Sequence, residues 1–180
     1  MAKQFAAFED DHLRIIAAQN MFFVGTAAPG GRVNISPKGM DSLRVTGPNR
    51  VVWLNVTGSG NETAGHLQLA PRMTVMWCSF DRRPMILRAY GTARAIHPRD
   101  ADWASLYALF EPIPGARQIY DMTVEMVQTS CGYAVPFFEH QGPRDTLRHW
   151  AETKGPDGVE AYWDEKNRTT LDGFATGILD

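Results

Sequence analysis

The reading of the fold is decided by residues 50–67, RVVWLNVTGSGNETAGHL. Residues 51–56 are a β-branched and aromatic run bounded by turn residues, which predicts a strand. Thr57, Gly58, Ser59 and Gly60 follow, and the glycines let the backbone turn and come close to a ligand. Ser59 and Glu62 stand in S-x-x-E spacing, which predicts a capping box at the start of a helix. The remaining free amides and the positive end of the helix dipole then point into the loop. An ordinary capped helix explains these residues, and so does a site in which backbone donors hold a phosphate. Two sharper motifs are excluded. The third glycine falls at Gly65 where a Rossmann fingerprint needs one at Thr63, and no G-K-S/T follows as a Walker loop requires.

On the N-terminal side, Leu13, Ile16, Ala17 and Asn20 follow i, i+3, i+4, i+7 spacing and predict an amphipathic helix over about residues 8–20. Residues 21–26 read as a strand, Ala28-Pro29-Gly30-Gly31 as a turn, and residues 32–38 as the returning strand. Its alternation puts Arg32, Asn34, Ser36 and Lys38 on one face and Val33, Ile35 and Pro37 on the other. A solvated sheet face accounts for that polar set. Two cations bracketing two hydrogen-bonding side chains would also suit a phosphorylated or polar ring ligand. Residues 42–46, the turn Gly47-Pro48-Asn49 and residues 51–56 form a second hairpin that leads into the Gly-rich loop.

On the C-terminal side, the helix from Asn61 is stopped by Pro71. Residues 72–80 and 85–96 are two long strands, with Gly91 marking a bulge in the second. Trp103, Leu106, Tyr107 and Phe110 share one helical face, and an aromatic stripe of that kind is ordinarily core. Residues 118–129 alternate, with Tyr120, Met122, Val124 and Met126 inward and Asp121, Thr123 and Glu125 outward. Cys131 reads as a small buried hydrophobe, with a redox thiol as the alternative. Two short helices are expected over residues 144–166, separated by Gly155-Pro156, and then an irregular tail. The count of six to seven strands, mostly in hairpin order, predicts a mainly β protein with peripheral helices, a closed or split antiparallel barrel.

The 180 residues correspond to one domain, 1–180, with a helical extension from about residue 144. A net charge of −2 with mixed signs lacks the basic excess of a nucleic-acid surface. No apolar run is long enough to span a bilayer, and the acidic N-terminus MAKQFAAFEDDH does not resemble a signal peptide, so cytoplasmic residence is expected. Two cysteines and five scattered histidines show no metal-ligand spacing.

Taken together, GRVNISPKG at 31–39, VVWLNVTGSGNETAGHL at 51–67, APRMTVMW at 70–77 and the strand ending in Tyr90-Gly91 resemble the pyridoxamine 5′-phosphate oxidase-like family. The resemblance covers roughly residues 10–135, and the continuation QTSCGYAVPFFE is similar to a bacterial subgroup outside the vitamin-processing enzymes. It implies an FMN-binding split β-barrel, usually a homodimer with the flavin at the subunit interface. The family's first flavin-binding strand falls on Arg32, Val33, Asn34, Ser36 and Lys38, with Arg32 and Lys38 as the expected phosphate or ring contacts. Trp53 and Leu54 match the next flavin-contacting strand. Ser59, Gly60 and Asn61 match a Ser-Arg-Lys phosphate clamp, but here two cations are replaced by Gly and Asn. The family's C-terminal W-x-R-x-x-P segment, which helps bind pyridoxal phosphate, is replaced by NRTTLDGFATGILD.

The resemblance therefore implies an FMN-dependent oxidoreductase acting on a small organic substrate or reduced nicotinamide, and not on pyridoxamine phosphate. No side chain stands out as its general acid or base; Arg88 and Tyr90 either border the pocket or form an exposed strand pair. The altered clamp and tail leave two alternatives, a flavin-storage protein without turnover and a split barrel that uses haem or deazaflavin.

Overall fold

The computed structural model describes residues 2–180. Eight antiparallel strands form one sheet: β1 (Lys3–Phe5), β2 (Phe22–Thr26), β3 (Asn34–Lys38), β4 (Leu43–Gly47), β5 (Arg50–Val56), β6 (Arg72–Cys78), β7 (Ile86–Ile96) and β8 (Ala116–Ser130). Their order is β3-β2-β6-β7-β8-β5-β4, with β1 added to the far end of β8. The curled sheet is the expected split barrel, with β3 and β4 at its two edges. One strand more is present than the sequence predicts, because three-residue β1 is too short to show a period and is defined only by its pairing with β8.

Four helices accompany the sheet: α1 (Asp10–Ala17), α2 (Glu62–Leu69), α3 (Trp103–Tyr107) and α4 (Thr146–Lys166). Gly155, at φ 66°, breaks α4 into the two expected segments just ahead of Pro156. The barrel interior is filled by Trp53, Trp77, Tyr120, Leu87, Val24 and their neighbours. A second core on the outer side joins Val52, Leu54, Ile96 and Ile119 to Leu106 and Phe110 from the aromatic stripe around α3. Strand β5 is therefore buried on both faces, which is why its sequence is an unbroken apolar run.

Gly91 sits at the expected bulge, where the β7–β8 register shifts between Tyr90↔Met126 and Gly91↔Val124. The residue left over on β8 is Glu125, so the in–out alternation of β8 changes phase there. As a result Val127 is fully buried and Met126 only half-buried, the reverse of what strict period-two reading predicts. Cys131 is also corrected: it is exposed in the segment after β8, whereas Cys78 is buried.

The tail beyond α4 is irregular apart from one bridge, Thr169↔Ala175. It packs so closely on α2 that a Cβ at Gly65 would lie 2.4 Å from Thr170 Cγ2. Gly65 therefore serves helix–tail contact. Arg99 fastens the end of the tail by donating to the carbonyls of Gly177 at 2.7 Å and Ile178 at 3.0 Å.

Candidate functional site

A cavity of about 590 Å³ lies between β3, the end of β5 and the loop before α2. Each of the ten residues singled out in the sequence borders it, but they do so in different ways. Asn34, Ser36 and Lys38 are the half-buried positions of β3, and Ile35 and Pro37 between them are exposed. The polar face of the strand therefore meets the cavity and its apolar face meets solvent, an inversion of the usual alternation. Arg32 and Val33 precede β3 and are exposed. The Arg32 guanidinium is ion-paired with Asp172.

Lys38 ends β3 with its Nζ 5.3 Å from the centroid of the Trp53 ring. Trp53 is held in turn by stacking on Tyr120, with ring centroids 4.7 Å apart. Burial pushes the Lys38 ammonium down to about 8, and the nearby charge of Arg117 adds to the shift. Leu54 borders the cavity beside Trp53, although its side chain belongs to the outer core.

The loop is tied down from behind. Thr57 donates its backbone N–H and its hydroxyl to the carbonyl of Gly115, both at 2.8 Å, and accepts a hydrogen bond from Trp163 Nε1 at 2.8 Å. Asn167 donates from Nδ2 to the Gly58 carbonyl at 3.2 Å. The predicted capping box between Ser59 and Glu62 does not form. The N-cap is Asn61, without a side-chain capping bond, and Ser59 is exposed outside the helix. The Glu62 carboxylate instead accepts the backbone N–H of Leu171, with both oxygens at 3.1 Å. A tail residue distant in sequence has taken the carboxylate that local spacing assigned to the helix end.

Arg117, at the start of β8, is a buried cation of the cavity that sequence reading missed. It is 3% exposed and borders the cavity. Its Nη1 donates to Asn167 Oδ1 at 2.6 Å and to the Gly60 carbonyl at 3.1 Å, while its Nε has no partner. Burial pushes this guanidinium down to about 10, with no carboxylate acting on it. Asn61 Oδ1, also buried, lacks a partner as well. The available signal was an arginine at the entry to a strand that is buried on both faces, where a charge needs a reason to be present. Arg88 and Tyr90 lie elsewhere, on the outer sheet face with Val33 and Ile35, where they bond Ser130 and Gln128.

These features fit an anionic, ring-bearing ligand. Two cations without acidic partners, orphaned buried polar atoms and an aromatic wall border one cavity, and each orphan gains from a bound acceptor or donor.

The comparisons agree with this architecture. The curated pyridoxamine 5′-phosphate oxidase family protein ustO of Aspergillus flavus is 39% identical over 135 residues, covering 72% of this chain. The chain spans 54% of the length of that relative. Among solved structures, HupZ of group A Streptococcus matches with a TM-score of 0.56 and 19% identity, over 68% of this chain and 98% of the other. A Lactobacillus delbrueckii protein described as a candidate pyridoxamine 5′-phosphate oxidase matches with a TM-score of 0.56 and 18% identity, over 68% and 94%. At such identities the likeness establishes the shared fold. The family model for pyridoxamine 5′-phosphate oxidase matches residues 8–131, every strand but β1 and nearly every residue of the cavity, and the chain belongs to that family.

Proposed function

We propose that this protein is an FMN-binding oxidoreductase that acts on a small organic substrate or reduced nicotinamide, and that it works as a homodimer. The observation that carries the reading is the continuity of the cavity from the polar face of β3 to the loop before α2, with Lys38 and Arg117 both unpaired along it. A planar heteroaromatic group with a phosphate at one end suits that shape and charge. Asn34 and Ser36 offer hydrogen bonds to the polar edge of a ring, Trp53 gives it an aromatic wall, and Lys38 supplies a positive charge beside it. Ser59, Gly60 and Asn61 border the part of the cavity assigned to the phosphate, and Arg32 stands at its exposed margin.

Bound FMN would supply the hydride or electron transfer chemistry, while the protein orients the ring and tunes its electronics. The tail beyond α4 brings Leu171 to the cavity.

The homodimer is supported by the exposed apolar face of the β3 edge. Val33 is 70% exposed and Ile35 68%, on a surface continuous with Phe23, Met76 and Tyr90. Tyr133, Phe137 and Phe138 in the segment after β8 are also exposed.

Anaerobic mixing of the FMN-loaded protein with NADH or NADPH tests turnover. Loss of the long-wavelength flavin absorption is expected. A bound flavin that neither donor bleaches would favour storage over oxidoreduction.

A further inference from the structure

We infer that Arg117 recognises the phosphate of the ligand, so that the cation the loop lacks at Gly60 and Asn61 is supplied from β8 instead. This rests on the flavin reading of the cavity and names the residue that would make the site prefer a phosphorylated flavin.

The loop itself offers no positive charge, since Ser59, Gly60 and Asn61 are neutral and Glu62 is acidic. Arg117 reaches that same loop from the other side, with Nη1 3.1 Å from the Gly60 carbonyl. Its burial without a carboxylate partner is costly for the isolated chain, and an anion entering the cavity would relieve that cost. The Nε donor is buried and unused, so a phosphate oxygen brought to the guanidinium would satisfy a group that the isolated chain leaves unpaired.

The surroundings keep the charge available. Arg117 is held by Asn167, whose amide oxygen accepts at 2.6 Å without neutralising the guanidinium as an Asp would. Asn167 is fully buried, donates to the Gly58 carbonyl, and its own carbonyl accepts from the Thr176 hydroxyl at 2.5 Å. It therefore joins Arg117, the loop and the tail in one network. The loop's carboxylate, Glu62, is bound to the Leu171 N–H. Asn167 is thus a positioning residue, and the C-terminal extension is part of the site.

The test compares FMN with riboflavin, which differ by the phosphate, using quenching of flavin fluorescence in the wild type, R117Q, R117K and N167D. Wild type should prefer FMN. R117Q should weaken FMN binding by about ten- to a hundredfold, the loss of one charge-assisted hydrogen bond, and leave riboflavin unchanged. R117K should recover part of the preference, which a purely structural role would not require. N167D keeps the acceptor that holds Arg117 and neutralises it, but gives up the Nδ2 donor to the Gly58 carbonyl, a change that riboflavin affinity reports separately; it guards against R117Q failing to fold, and the same loss of FMN preference is expected. A folded R117Q or N167D with the wild-type FMN-to-riboflavin ratio overturns the inference and leaves the flavin reading standing, as does a wild type that binds both flavins equally. If the wild type binds neither flavin, the flavin reading fails and inorganic phosphate becomes the probe. Thermal protection by phosphate in wild type but not in R117Q would still support Arg117 as a phosphate site, and no protection would overturn both.

Discussion

Asp172, in the C-terminal tail, accepts the backbone N–H of Arg32 at 2.6 Å and also pairs with its guanidinium. Gly31, at φ +84°, makes room for it, since a Cβ there would lie 2.6 Å from the Asp172 carboxylate. Arg32 is therefore already partnered and 71% exposed, whereas Lys38 is half-buried without an acidic partner. The two cations bracketing the polar face of β3 are thus not equivalent. K38A is expected to weaken FMN binding by about tenfold or more, the loss of a charged hydrogen bond, and R32A by less than about threefold. Isothermal titration of the two variants checks this, and equal losses would contradict it.

Gly91 is required by packing. A Cβ at this position would sit 1.9 Å from the Thr123 carbonyl oxygen and 3.1 Å from the Val124 Cα, both backbone atoms of the paired strand. Neither can move without breaking the β7–β8 ladder. G91A should destabilise the fold by about 1–3 kcal/mol or more, the cost of forcing an extra methyl into a packed core. Thermal denaturation reads this directly, and an unchanged Tm would show that the bulge can open.

The depressed Lys38 makes stability and ligand binding respond oppositely to pH. Its folded value of about 8 lies below its ordinary 10.5, so between these values the unfolded chain holds more protons than the folded one. The stability of the ligand-free protein should therefore rise from pH 8 toward 10 by at most about 1.4 kcal/mol per pH unit from this group. Anion binding should weaken across the same window as the ammonium is lost. Denaturant unfolding and FMN titration at pH 7, 8 and 9 test the pair of trends, and ligand affinity that stays flat would remove Lys38 from the site.

Much of this was legible in the sequence because it was local. The β-branched run at residues 51–56, the alternation of β3 and the aromatic stripe at Trp103, Leu106, Tyr107 and Phe110 each carry their own period, and Gly91 marked its bulge. What escaped notice depends on contacts between distant parts of the chain. Glu62 is taken by Leu171 from the tail, Arg117 is organised by Asn167 some fifty residues later, and β1 exists only as a partner of β8. The phase change after Glu125 arises from the register of a neighbouring strand, which period-two counting along one strand does not contain.

The exposed Val33 and Ile35 on the β3 edge predict an assembly that can be weighed. Sedimentation at micromolar concentration should give twice the 20.1 kDa chain mass. The double substitution V33D and I35D should shift it to the single-chain mass without unfolding, because both side chains already face solvent in the isolated chain. A wild type that sediments as a single chain would count against the dimer.

The most direct test of the central claim is an absorption spectrum of the protein, as purified and again after addition of FMN and removal of the excess by gel filtration. A two-band flavin spectrum that stays with the protein near one FMN per chain is the predicted result. Protein that emerges without a chromophore after loading would contradict the assignment of the cavity between β3 and the loop before α2 to flavin.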